Sequence, residues 1–309
     1  MATSKARKHK VVQAPRPRAP ETRARRRWLP LAAGAAVVLI AIGLLALQRR
    51  DSSTPTASNA GLPNTSDYHS LLVDPADPND LILGTHQGLY RSTDGGRNWT
   101  GYSLAGKDAM NLTRRGGDRT IWLAGHNVFA KSDDGGSNWQ QLQQSSLPNL
   151  DLHGFAVDPR RPSTVYAAVA GFGLYRSTDR GVTFHEISKG VGGTVMALAV
   201  TRTGEILAGD MQRGLLSSRD AGKTWRQVLD AQLAGIAINP QQPETILATG
   251  PGILRSTDGG SHWSQVERID AGAGPVTWSP SNSHLAYVVG FDRVLYRSSD
   301  DGASWAPVG

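Results

Sequence analysis

The stretch Arg91-Ser92-Thr93-Asp94-Gly95-Gly96-Arg97-Asn98-Trp99 decides the fold, because its skeleton Ser-x-Asp-x-Gly-x-x-Trp returns along the chain. It recurs as Ser132, Asp134, Gly136 and Trp139, then as Ser177, Asp179, Gly181 and Phe184. Further copies are Ser218, Asp220, Gly222 and Trp225; Ser256, Asp258, Gly260 and Trp263; and Ser298, Asp300, Gly302 and Trp305. The six aspartates stand 40, 45, 41, 38 and 42 residues apart. A period of about 40 residues held over so many copies means a repeat architecture.

Each copy follows a short apolar run, such as Gly88-Leu89-Tyr90 or Gly173-Leu174-Tyr175, which reads as a strand running into a turn. The Ser hydroxyl and the Asp carboxylate two residues on can take up backbone N–H groups that a turn leaves unpaired. The glycine tolerates φ > 0, and the closing aromatic brings a large surface to lock the returning strand. Five of the eight tryptophans occupy that slot, and Phe184 keeps the bulk without the indole N–H. The aspartates are therefore expected to be structural.

Four strand-like runs fit in each repeat. In the first these are Ser70-Leu71-Leu72-Val73, Leu81-Ile82-Leu83, Leu89-Tyr90-Arg91 and Trp99-Thr100-Gly101-Tyr102. Between the first two runs lie proline turns such as Asp74-Pro75-Ala76-Asp77-Pro78, since proline cannot continue a ladder. Four strands per repeat of about 40 residues make the blade of a β-propeller. The expected fold is all-β, a six-bladed propeller over residues 68–309, with closure resting on the short Trp305-Ala306-Pro307-Val308 run and a covering segment around Leu62 to Asp67. These residues resemble the Asp-box, or BNR, repeat of the sialidase- and xyloglucanase-like glycosyl hydrolase superfamily.

The order of strands sets the box turns and proline turns on one face and the remaining loops on the other. That second face carries His86, Gln87, His126, Asn127, Phe172, Asp210, Gln212, Arg213, Phe291, Asp292 and Arg293 on short loops. The connections between blades add Lys107, Asp108, His153 and Lys189. By resemblance this is the ligand face of a propeller.

A sialidase needs an arginine cluster and a tyrosine nucleophile paired with a glutamate, as the resemblance implies; its Phe/Tyr-Arg-Ile-Pro motif has no match here. The glutamates after residue 50 are Glu186, Glu205, Glu244 and Glu267, placed on strands and opposite-face turns. A glycosidase of the xyloglucan-cleaving kind needs two carboxylates flanking the scissile bond. The candidates are Asp210, Asp292 and Asp108, with solvated ion pairs to Arg213 and Arg293 as the plainer reading of the first two. His86 and His126 occupy equivalent loops of adjacent blades, but no third ligand is evident, so neither a metal nor a cofactor is expected. Asp-box propellers also resemble photosystem assembly factors and sorting receptors, which bind proteins. The expected function is a binding or scaffold module for protein or glycan, with a glycoside hydrolase as the alternative.

The N-terminal region differs in kind. Residues 1–27 hold ten Lys/Arg and one Glu, a net of +9, whereas residues 51–309 hold 21 Lys/Arg and 25 Asp/Glu, a net of −4. The overall +7 thus belongs to the tail and gives no reason to expect nucleic acid binding. Residues 28–48, from Trp28 to Gln48, are 21 uncharged residues, enough for one membrane-spanning helix. The basic tail before them places the N-terminus in the cytoplasm and the repeats outside at the cell membrane, with secretion after signal cleavage as the alternative. Residues 49–67, rich in Ser, Thr, Asn and Pro, read as a flexible linker. Cysteine is absent, which excludes disulfides, thiol catalysis and thiolate metal ligation.

Overall fold

The computed structural model describes residues 61–65, 67–114 and 119–309. The basic tail, the 28–48 span and the first part of the linker lie outside the described residues.

The described chain forms six antiparallel four-stranded sheets, each built from consecutive strands. In the first blade these are Tyr68–Val73, Leu81–Thr85, Gly88–Ser92 and Thr100–Ser103. The first strands of the six blades are Tyr68–Val73, Asn111–Arg114, Leu152–Val157, Val195–Val200, Gly235–Ile238 and Ala273–Trp278. They touch one another in that order, and the last returns to the first, so the ring is closed. The second strands, among them Leu81–Thr85, Ile121–Gly125 and Val165–Val169, are buried at every position. Both of their faces lie against neighbouring blades, which explains their unbroken apolar runs.

Six apolar clusters hold the ring, and each lies between two adjacent blades. The closing aromatic of every repeat belongs to one of them. Trp99 reaches the last blade, where Leu285, Tyr287 and Leu295 wait; Trp139 and Phe184 reach the first and second blades. Trp225, Trp263 and Trp305 continue the pattern, each against the blade before its own. The aromatic therefore joins blades as well as strands.

The repeated turn shares one core of hydrogen bonds in all six copies, seen in full in the first. Ser92 Oγ donates to Asp94 Oδ1 at 2.8 Å and accepts from the Gly96 N–H at 2.8 Å. The same Oδ1 accepts from the N–H groups of Arg97 and Asn98, both at 3.0 Å, and the indole of Trp99 donates to the Gly96 carbonyl at 2.9 Å. In the second copy the amide of Asn138, then its side chain and the Ser132 hydroxyl, hold the Asp134 carboxyl down at about 2. The glycine is required twice over. Gly96 sits at φ 94°, and a Cβ there would lie 2.1 Å from Leu295 Cδ2 of the last blade. The residue before it is also left-handed, at φ 62° for Arg180, 61° for Ala221 and 62° for Asp301. Only three of the six copies supply glycine there, a strain the repeat pattern did not reveal.

Closure involves the segment just before the first strand. Leu62 is buried against both the first and last blades, with Val308 packed on the same cluster. The Gly61 N–H donates to the Arg97 carbonyl at 2.9 Å, Tyr68 Oη donates to the Pro63 carbonyl at 2.7 Å, and Arg293 donates to Asn64 Oδ1 at 2.8 Å. The segment before the first strand covers the seam that the two-residue strand Ala306–Pro307 leaves short.

Candidate functional site

The turn from Asp77 to Asp80 and the repeated turn of the same blade lie together, joined by the Gly95 N–H donating to the Asn79 carbonyl at 2.9 Å. Equivalent bonds tie Gly135 to Arg119, Arg180 to Ser163 and Gly259 to Glu244. The loops between second and third strands emerge at the opposite end, and there three blades converge on a chain of imidazoles and carboxylates.

Local structure fixes each member. Thr85 Oγ1 accepts from the Gln87 N–H and donates to the Gly88 carbonyl, both at 3.0 Å, which closes a tight loop with His86 at its tip. In the next blade Asn127 takes φ 56°, and its N–H donates to the Leu150 carbonyl at 2.7 Å. His126 forms a bridge with Asp151 just before the strand Leu152–Val157. Asp108 comes from the connection between these blades. The neighbouring Ala109 N–H donates to the Thr85 carbonyl at 3.0 Å, and a Cβ on Gly125 would lie 2.2 Å from the Asp108 carbonyl oxygen. The backbone around Asp108 is thus held from both sides.

The side chains meet in sequence. Asp108 Oδ2 contacts His86 Nδ1 at 2.9 Å and His126 Nδ1 at still shorter range. The opposite nitrogen of His126, Nε2, lies 2.9 Å from Asp151 Oδ1 and 3.1 Å from His153 Nε2. His153 Nε2 is itself 3.0 Å from Asp151 Oδ1. On the other flank Asp67 Oδ2 is 3.4 Å from His86 Nε2, and the His69 ring stands edge-on to His86 at 4.2 Å. Contact with Asp108, then with Asp151, pushes His126 up to about 10. Burial pulls His69 down to about 3, which keeps it neutral, and its Nε2 has no hydrogen-bond partner.

The sequence candidates separate accordingly. His86, His126 and Asp108 come together, and Asp108 is the third donor that the sequence did not show. Asp67, His69 and Asp151 were missed. A signal for them exists in the repeated Asp-x-His at Asp67-Tyr68-His69 and Asp151-Leu152-His153, at the start of the first strands of two blades.

Asp210 is neither a solvated loop residue nor available to a substrate, for it is fully buried. Burial pushes its carboxyl upward, yet the Gln212 amide, the Arg213 guanidinium and amide, and Thr194 together hold it below the usual range. Thr194 Oγ1 donates to it at 2.9 Å, the Gln212 N–H at 2.8 Å, and Arg213 clasps it through two nitrogens at 3.0 and 2.7 Å. Asp292 is exposed and accepts from Tyr296 Oη at 2.6 Å and the Val294 N–H at 3.1 Å, while Arg293 turns away to Asn64. The expected pair of Asp292 with Arg293 is replaced by these bonds. Tyr175 does approach Glu186, at 3.5 Å, but across the two outer strands of its blade. Gln87, Asn127 and Gln212 are exposed on the loop face, as are the apolar Phe172, Met211 and Phe291.

No family model matches the chain. It is similar to a probable oligoxyloglucan-reducing end-specific xyloglucanase of Neosartorya fischeri, 26% identical over 211 residues, covering 54% of this chain and 25% of that protein. It is also similar to the photosystem II assembly lipoprotein Ycf48 of Synechococcus sp. (strain CC9902), 24% identical over 291 residues, covering 88% of this chain and 86% of that one. Among solved structures, Ycf48 bound to D1 peptide shares the fold with a TM-score of 0.50 and 17% identity, over 82% of this chain and 86% of that one. The chain thus spans about a quarter of the xyloglucanase and most of the assembly protein.

Proposed function

We propose that this chain is a membrane-anchored, extracytoplasmic Asp-box (BNR) propeller that binds a protein partner on its loop face without turnover. The observation that carries the reading is the engagement of every candidate acid. Asp108 lies between two imidazoles, Asp210 is buried in the grip of Arg213 and Thr194, and Asp292 is bonded to Tyr296. A glycosidase needs one carboxyl free to protonate a leaving group and a second facing it across the substrate. The exposed Phe172, Met211 and Phe291 on the same face give a protein surface something apolar to cover. The near full-length likeness to the Synechococcus Ycf48, together with the fold shared with a Ycf48 bound to D1 peptide, supports a protein ligand. A glycan held without cleavage is the second ligand class. The uncharged 28–48 span and the basic tail before it support the anchor and its orientation.

Glycoside hydrolysis is the second reading, favoured by the xyloglucanase relatives. Incubation of the purified protein with xyloglucan separates the two. The binding reading expects no new reducing ends, whereas release that disappears in Asp292→Asn with the fold intact would establish an enzyme. Protease treatment of intact cells tests topology, and protection of the propeller would overturn the orientation.

A further inference from the structure

We infer that His126, His153 and Asp151 form a binding site for a divalent transition-metal ion at the junction of the second and third blades. The inference is independent of the binding function proposed above. Three ligand atoms, His126 Nε2, His153 Nε2 and Asp151 Oδ1, make a triangle with edges of 2.9, 3.0 and 3.1 Å. Around an ion at about 2.1 Å from each donor, such a triangle subtends about 90° at the metal. That is one face of an octahedron, the arrangement of two histidines and a carboxylate that leaves further positions open.

A hydrogen-bond network accounts for these atoms poorly. Asp151 Oδ1 is buried and has no hydrogen-bond partner, although two ring nitrogens lie within 3.0 Å of it. The two Nε2 atoms lie 3.1 Å apart, so at least one of them presents a lone pair to the other. Three potential ligand atoms this close to one another are what a cation can satisfy. The surroundings support the same assignment. Asp108 lies against His126 Nδ1, so an ion that displaces the proton from Nε2 would find a carboxylate behind its ligating histidine, the usual outer partner of a metal site. His86 holds Asp108 from its other side at 2.9 Å. His126 and Asp151 are 38% and 40% exposed, so an ion can enter and keep water on its open positions. Two imidazoles and one carboxylate suit Zn²⁺, Co²⁺ or Ni²⁺ better than Ca²⁺ or Mg²⁺, which take oxygen donors.

The test is titration of the untagged, purified full chain with Zn²⁺ by calorimetry, with bound metal counted after dialysis and Co²⁺ absorption reporting the donor set. One ion per chain is expected. His153→Ala and His126→Ala should abolish stoichiometric binding, and Asp108→Asn should weaken it by about 10- to 100-fold. His262→Ala, on the turn face beside Asp258, should leave it unchanged. His153→Gln, with thermal unfolding measured alongside, shows whether loss of binding is loss of a ligand or of the fold. Absence of stoichiometric binding would leave the cluster a proton-sharing network and overturn the inference. Loss on His86→Ala as complete as on His153→Ala, with His153→Gln unaffected, would move the ion to the His86, Asp108 and His126 side and also overturn it.

Discussion

The two faces of the disc are built by opposite rules. On the turn face one device is written six times, with the Ser hydroxyl on the Asp carboxylate and on the glycine N–H in every copy. On the loop face no feature is shared by all six blades. The first three contribute His86, Asp108, His126, Asp151 and His153, and Phe172, Met211 and Phe291 come from the third, fourth and sixth. Repetition marks what every blade needs in order to fold. Departure from repetition marks what one molecule needs in order to bind. A charged residue that returns at a fixed period is therefore a weak functional candidate, and a histidine found in only some blades is a strong one.

Substitution should break the two faces unequally. Trp99→Ala empties a fully buried site that joins the first and last blades, and should cost about 3–5 kcal/mol in chemical denaturation. His86→Ala should cost far less on the same assay, since its side chain is 36% exposed. Equal losses would erase the distinction drawn between the faces.

Gly222→Ala comes next in size. It combines φ 91° with a Cβ that would stand 2.3 Å from Leu174 Cδ2 of the preceding blade. Strain and overpacking together should cost about 2–4 kcal/mol. Gly171→Ala, at φ 76° in open space, isolates the strain alone and should cost less than half as much.

Acid should act on the turn face through its carboxylates. Asp134, Asp220 and Asp300 are each held at about 2 by hydrogen bonds within the turn. An unfolded aspartate titrates at about 3.9. With the folded value depressed, the contribution is complete above about pH 4 and is lost as pH falls through about 2. Thermal midpoints from pH 5 to pH 2 should drop through that window, and Asp220→Asn should flatten the drop.

The smallest effect runs the other way. Ala221 occupies φ 61°, where other copies carry glycine. Ala221→Gly should relieve strain and raise stability by about 0.5–1 kcal/mol, net of the added unfolded-state freedom. A loss instead would mean that the copies without glycine at this position pay nothing for it.

By itself the sequence determined the six blades, their four strands and the two faces. Each of these follows from local chemistry repeated at a constant interval: a hydroxyl and a carboxylate two residues apart, a glycine, an aromatic, and prolines where ladders must stop. The tertiary structure alone decided which side chains meet. Asp108 lies in a connection that carries no repeated signal, Asp67 and Asp151 share only a two-copy Asp-x-His, and their distances to His86 and His126 depend on how neighbouring blades twist about the ring. Likewise, nothing local distinguishes Asp210 from Asp292, for both precede a loop arginine. Burial separates them, because Asp210 ends a strand packed on both faces while Asp292 stands clear at a loop tip. Pattern records what a residue's own blade requires of it, and the site is made where blades meet.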